Sequence, residues 1–297
     1  MMSVLVTKGL RKTYGKLVAL EGLDLDIKAG NVYGLLGPNG SGKTTTLGII
    51  LGILSQDGGT YEWFDGKYGK KARMKIGSIL ETPNFYPYLN AVENLKIVAR
   101  IKNVGYDQFD ELLELVDLAH RKRSKFKTFS LGMKQRLAIA ATLVGHPEVL
   151  IFDEPTNGLD PQGIAEVRNI LKRIADSGRT VLMASHILDE VEKICSHVAI
   201  IKRGKLLATG PVGAILSNDM LLEVGSTDME ALKAFLQSNP MIKTINPLNG
   251  FLECIVDESL SVSEINEKAF TSGIVLNHLV SRKRRLEEEF LEITQDA

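Results

Sequence analysis

The stretch "GPNGSGKTTT", Gly37 to Thr46, carries the densest set of groups in this chain that could do chemistry. Gly37, Gly42, Lys43 and Thr44 fit the spacing G-x-x-x-x-G-K-[ST], with Pro38, Asn39, Gly40 and Ser41 between them and Thr45 just beyond. Glycines let successive backbone N–H groups turn inward, and a helix opening directly behind them adds positive potential. Such a loop cradles phosphate. Lys43 would reach the β- and γ-phosphates of a nucleotide, and the Thr44 hydroxyl would ligate Mg2+. A second set ends the apolar run "EVLIFDE". Asp153, at the C-terminal end of a buried strand, can hold Mg2+ through water, and Glu154, aimed differently, can polarise the water that attacks the γ-phosphate. A third run, "TVLMASH", would bring His186 near the same phosphate. Tyr14, in "RKTYGK", could stack on a nucleobase or simply serve a turn. Glu81 ends a further short strand-like run, Gly77 to Leu80, where an acid side chain would point into the site.

These groups can act together only if several strands present their ends to one place. The elements for that are legible. From Val4 to about Ala208, strand-like runs alternate with helix-length stretches, as in a parallel sheet flanked by helices. "NVYGLLG", "EVLIFD" and "TVLMAS" are short and apolar throughout, as strands buried on both faces are. Between them, Gln108 to Ala119 repeats apolar residues at helical spacing, and a helix opens near Asn90 after Pro83 and Pro87. After "GPVG" (Gly210 to Gly213) the pattern changes. Strands are expected at Leu221–Val224, Ile242–Pro247, Phe251–Val256 and Ile274–Val280, with helices at Met229–Gln237 and Val262–Phe270. That order is a split βαβ arrangement, followed by a last helix over Arg284–Thr294. The pattern breaks between domains somewhere in Ala208 to Asn218.

Composition sets the frame. The chain has 297 residues, 44% apolar and 24% charged, and a formal net charge of zero, so no overall field favours nucleic acid or an anionic membrane. The basic runs "HRKRSKFK" and "SRKRR" read as solvated surface. The two cysteines, Cys195 and Cys254, carry no pairing motif, and a reducing cytosol is the expected setting. The apolar run "LGIILGIL" falls far short of the roughly 20 residues a spanning helix needs, and the start of the chain does not read as a signal peptide.

Taken in order, Tyr14, "GPNGSGKTTT", "FSLGMKQRL", "VLIFDEPTNGLD" and "ASH" resemble the ATP-binding subunits of ABC transporters, over Val4 to roughly Ser226. The resemblance implies an α/β fold: a P-loop NTPase domain of ABC type over residues 1–226, with a helical lobe at about 84–136, and a small α+β domain over 227–297. It implies that Tyr14 stacks on adenine and that two nucleotide domains pair head to tail. Ser130 and Gly132 of one copy would then bind the γ-phosphate held by the other, and Asp160 would couple the two sites. The family signature L-S-G-G-Q is altered, with Phe129, Leu131 and Met133 at three of its positions, while Ser130 and Gly132 remain. Glu81 stands where the family usually has a Gln that touches Mg2+, and its carboxylate, a hard oxygen donor, can serve Mg2+ there. "ETPNFYPYLNAVENL" (Glu81 to Leu95) is similar to the subgroup that exports bacitracin-like and lantibiotic peptides, as are "SLGMKQRL" and "LEEEFLEIT".

The function implied is hydrolysis of MgATP, as a homodimer or beside a second ATPase subunit, to drive a separately encoded permease at the inner face of the cell membrane. The expected cargo is a peptide antibiotic or bacteriocin, with no nucleic-acid partner. Phe85, Tyr86 and Tyr88 would grip the membrane subunit or pack into their own helical lobe. The alternatives are a soluble ATPase uncoupled from transport and a nucleotide-binding module without turnover. Against the last, both Glu154 and His186 are present.

Overall fold

In the computed structural model, the structure describes residues 2–215 and 219–295. Residues 216–218, part of the expected inter-domain segment, and residues 1 and 296–297 lie outside the described residues. The chain divides into two compact units, Met1–Val212 with Ile293–Ala297, and Gly213–Glu292.

The first unit begins with two long antiparallel strands, β1 (Ser3–Tyr14) and β2 (Leu17–Lys28), then β3 (Val32–Leu36), helix α1 (Lys43–Ile50), β4 (Gly58–Trp63) and β5 (Ile76–Ile79). Helices α2 (Ala91–Lys102), α3 (Phe109–Leu115) and α4 (Leu131–Leu143) follow. The unit continues with β6 (Val149–Asp153), α5 (Pro161–Asp176), β7 (Thr180–Ser185), α6 (Leu188–Ile194), β8 (His197–Lys202) and β9 (Lys205–Pro211), and a single turn, α7 (Val212–Ile215), straddles the division. β2, β1 and β4 make a three-stranded sheet, and a six-stranded sheet runs β5-β6-β7-β3-β8-β9, parallel except for the edge strand β9. Every residue of β3, β6 and β7 is buried, which explains their uninterrupted apolar character. Between the two sheets, Leu10, Leu23 and Ile27 pack with Leu35, Ile49, Trp63 and Ile201 in one core. Trp63 also donates its indole N–H to the Ile50 carbonyl, 2.7 Å away, closing the last turn of α1.

Local chemistry sets the helix starts. Asn90 and Glu93 exchange side-chain and backbone hydrogen bonds in a capping box at α2. Asp160 caps α5 with Pro161 as its first residue. Two expectations shift. α3 stops at Leu115 rather than Ala119, because Asp117 turns to φ 54. α4 runs on to Leu143, so the helical lobe has no break at Arg136.

The second unit holds β10 (Met220–Ser226), α8 (Met229–Gln237), β11 (Ile242–Leu248), β12 (Phe251–Val256), α9 (Val262–Thr271) and β13 (Leu276–Lys283), with α10 (Leu286–Gln295) belonging to it as far as Glu292. The sheet order β11-β12-β10-β13, antiparallel throughout, is the split βαβ topology, with Leu222, Val224, Leu252, Cys254 and Val256 packed against Leu232, Leu236 and Ile265. β10 therefore lies inside this sheet, whereas the expected first domain reached residue 226. Its backbone is paired with both β12 and β13.

Candidate functional site

Open α/β sheets bind ligands beyond the carboxyl ends of their parallel strands. Here β3 leads into the glycine loop, β5 into Glu81, β6 into Asp153 and Glu154, and β7 into His186. The loop demands its glycines. A Cβ on Gly37 would stand 2.2 Å from the Ile201 carbonyl oxygen and 2.4 Å from Ser41 Oγ, and Gly42 sits at φ 109 just before α1. Lys43 is buried, and its ammonium donates to the Gly37 carbonyl at 2.7 Å.

Glu154 is the hub of the charged groups. Its carboxylate stands 2.8 Å from His186 Nδ1 and 3.7 Å from the Lys43 ammonium. Its backbone is left-handed at φ 48, and Glu81 on the neighbouring strand end is left-handed at φ 58. For a residue with a side chain this conformation costs about 1–2 kcal/mol, and strain of that size gathers at functional sites. Glu154 N–H, bonded to the Ala184 carbonyl at 3.0 Å, ties the strained residue to β7.

Asp153 is 2% exposed, and neither carboxylate oxygen has a hydrogen-bond partner of good geometry. Burial raises its pKa above the usual carboxylate range, and the nearby charges of Glu154 and Glu81 raise it further. The Thr44 hydroxyl and Lys43 act the other way. A buried carboxylate with open lone pairs beside a hydroxyl is a donor set suited to a hard cation such as Mg2+. Among the described residues, no three His, Cys, Asp or Glu side chains converge as a cation-holding group. A cation here would therefore rest on Asp153, Thr44 and the phosphates it accompanies.

Tyr14, Leu17 and Ala19 share one hollow with Asn39 to Thr45 and Glu154, while Thr44 and Glu154 also line a second, with Glu81, Asp153, Gln135 and Asn157. The structure thus brings Tyr14, Gly37 to Thr45, Glu81, Asp153, Glu154 and His186 to one region. Ser130, Gly132 and Asp160 lie apart, lining a separate hollow with Arg136 and Glu166. Both Ser130 and Asp160 cap helices: Ser130 Oγ accepts from Met133 N at 3.3 Å, and Asp160 Oδ1 from Gly163 N at 2.8 Å. Gln135 and Asn157, within the quoted motifs, were not singled out from sequence, because nothing in their spacing marks them.

The aromatics after Glu81 divide. Phe85 is half-buried against Phe126, with ring centroids 5.2 Å apart, so it packs into the lobe. Tyr86 and Tyr88 are 49% and 63% exposed and touch edge to face. Among the described residues, no helix is long and apolar enough to cross a membrane.

Residues 20–157 match the model of the family described as "ABC transporter". The chain is 35% identical to the bacitracin transport ATP-binding protein BcrA of Enterococcus faecalis, over 98% of this chain and 96% of that protein. It is 41% identical to the lantibiotic transport ATP-binding protein SrtF of Streptococcus pyogenes, over 69% of this chain and 89% of that one. Among solved structures it is similar to a dimeric ATP-binding cassette in a post-hydrolysis state bound to ADP and Pi. The TM-score is 0.62 at 27% identity, over 70% of this chain and 98% of that one.

Proposed function

We propose, on the premise that the chain belongs to the ABC transporter family as an ATP-binding and ATP-hydrolysing subunit, that it drives export of a peptide antibiotic or bacteriocin, giving self-protection or resistance. Similarity to a bacitracin and a lantibiotic transport protein supports the cargo class. The permease is separately encoded, and the chain works at the inner face of the membrane, with Tyr86 and Tyr88 toward the membrane subunit. Two copies, or one copy and a second ATPase subunit, pair head to tail.

The observation that carries the reading is Glu154, poised between the Lys43 ammonium at 3.7 Å and His186 at 2.8 Å. In this role Lys43 leaves the Gly37 carbonyl for the β- and γ-phosphates, while the loop N–H groups and the start of α1 hold the remaining charge. Tyr14 stacks on the base. Glu154 accepts the proton of the attacking water, and His186 fixes its orientation. Thr44, Asp153 and Glu81 would hold Mg2+. When bound, the metal neutralises charge on the phosphate oxygens. Ser130 and Gly132 of the second copy close on the γ-phosphate, with Asp160 between the two sites.

The test is Glu154→Gln. It should still bind MgATP while turnover falls about 10²- to 10⁴-fold, the usual contribution of a general base. Parent-like turnover would remove Glu154 from the chemistry. Retention on membranes only when a neighbouring permease is co-expressed separates the transport subunit from a soluble ATPase.

A further inference from the structure

Tyr14 closes the β1–β2 hairpin, opposite Leu17, and its ring is 45% exposed. A ring so placed would swing freely unless the backbone beneath it were held. Pairing between β1 and β4 ends at Arg11 with Gly58, and the β1–β2 register slips between Lys12 and Thr13. Beyond Arg11, no strand among the described residues pairs with the outer edge of β1.

Asp57, the residue before β4, takes over there. Its backbone N–H donates to the Arg11 carbonyl at 2.9 Å. Its carboxylate Oδ2 accepts from the Thr13 N–H at 2.7 Å and from Thr13 Oγ1 at 2.6 Å. Oδ1 accepts from the Lys12 ammonium at 3.0 Å. That ammonium stands over the Tyr14 ring, 5.5 Å from its centroid. The three donors hold the Asp57 carboxyl down at a pKa of about 2, so it is charged at any physiological pH.

We propose that Asp57 is a positioning residue for nucleotide binding: it clamps Lys12 and Thr13 so that one face of Tyr14 is covered by the Lys12 ammonium and the other is presented to the base. The inference rests on the reading that Tyr14 stacks on the base. Asp57 lies away from the phosphate loop and does not line the hollow there, so its effect falls on the base alone. Neither the phosphate motif nor the acidic strand assigns it a role.

The experiment measures dissociation constants of the full chain, with Mg2+, for ATP and for inorganic tripolyphosphate. Tyr14→Ala should weaken ATP about tenfold, the scale of one base–aromatic stack, and leave tripolyphosphate unchanged. Asp57→Ala should weaken ATP by a similar factor, leave tripolyphosphate unchanged, and add nothing further when Tyr14 is already Ala. Asp57→Asn, which keeps the side-chain shape, is read alongside it and should fall between Asp57→Ala and the parent. If Tyr14→Ala binds ATP like the parent, the stacking reading fails and the positioning role goes with it. If Tyr14→Ala loses affinity while both Asp57 variants do not, the stacking reading stands and the inference alone is overturned. Equal losses for ATP and tripolyphosphate, or full additivity with Tyr14→Ala, would also overturn it.

Discussion

Gly132 separates what this chain needs for its own fold from what a second copy needs of it. It is the second residue of α4, its φ is not left-handed, and a Cβ built there meets no atom within 4 Å. Within one copy, Gly132→Ala therefore meets no clash and restricts only the unfolded chain, which stabilises by about 0.4–1 kcal/mol. For a unit of this size that raises Tm by about 1–4 °C. Between copies the outcome reverses. If the bare backbone of Gly132 lies against a phosphate held by the partner, the added methyl displaces a charge-assisted N–H contact. Such a contact contributes about 1.5–3 kcal/mol, so ATP-driven pairing weakens by at least about tenfold. The assay is light scattering with MgATP in a Glu154→Gln background, which holds the nucleotide uncleaved, beside thermal melts without nucleotide. A variant that is more stable but pairs poorly supports the head-to-tail arrangement. A variant that pairs as tightly as the parent refutes the placement of Gly132 on the partner's phosphate.

Gly37→Ala has no such latitude, because its Cβ would sit 2.2 Å from the backbone oxygen of Ile201; nucleotide binding should vanish in equilibrium titrations while far-UV circular dichroism stays near that of the parent. Glu81→Gln should keep ATP binding but change the turnover rate or its coupling to transport, since it removes a charge that bears on Asp153; steady-state ATPase and export assays matching the parent would show that the acid is incidental. Lys102 is pushed down to a pKa of about 8 by burial, although its ammonium donates to the Val144 carbonyl at 2.8 Å. Between that value and the ordinary lysine pKa the unfolded chain binds the proton that the folded chain has lost, so stability rises as pH increases through this window. With the group partly screened by solvent, the gain should be about 1 kcal/mol relative to Lys102→Met, read from urea melts at about pH 7.5 and about pH 10. An unchanged difference between parent and variant across that range would contradict the burial argument.

Much of the site could be read from the chain because its chemistry is local. Gly37 to Thr45 fixes a loop, a helix start and a cation within nine consecutive positions, and β6 and β7 announce their two-sided burial by lacking any polar interruption before Asp153 and Ser185. The second unit was equally plain, since alternation in β12 and the helical spacing of Leu232 and Leu236 report one buried face each. What escaped depends on contacts distant in sequence or on backbone angles. Nothing in "ETPNFY" says that Glu81 takes a left-handed conformation or that Phe85, unlike Tyr86, turns inward onto Phe126. Asp57 meets Thr13 across 44 residues, so no motif could pair them. β10 has the pattern of the first strand of the split βαβ arrangement, yet the boundary at residue 226 that family likeness implies cuts it off; its hydrogen bonds to β12 and β13 keep it in that sheet.

The cap at the start of α4 has a consequence for how this chain can diverge. A serine hydroxyl has two lone pairs and one proton, and Ser130 already spends an acceptor site on the Met133 N–H. Its proton is not used in that bond and remains available to another acceptor. If a second copy's phosphate approaches Ser130, one atom serves both the cap of α4 and that contact, and a mutation there is judged twice. Leu131, 47% exposed, makes no cap and lines the hollow beside Ser130 and Gly132. The cap of α4 therefore rests on the serine side chain, and the letters around it can differ from the family's usual ones without loss of that cap.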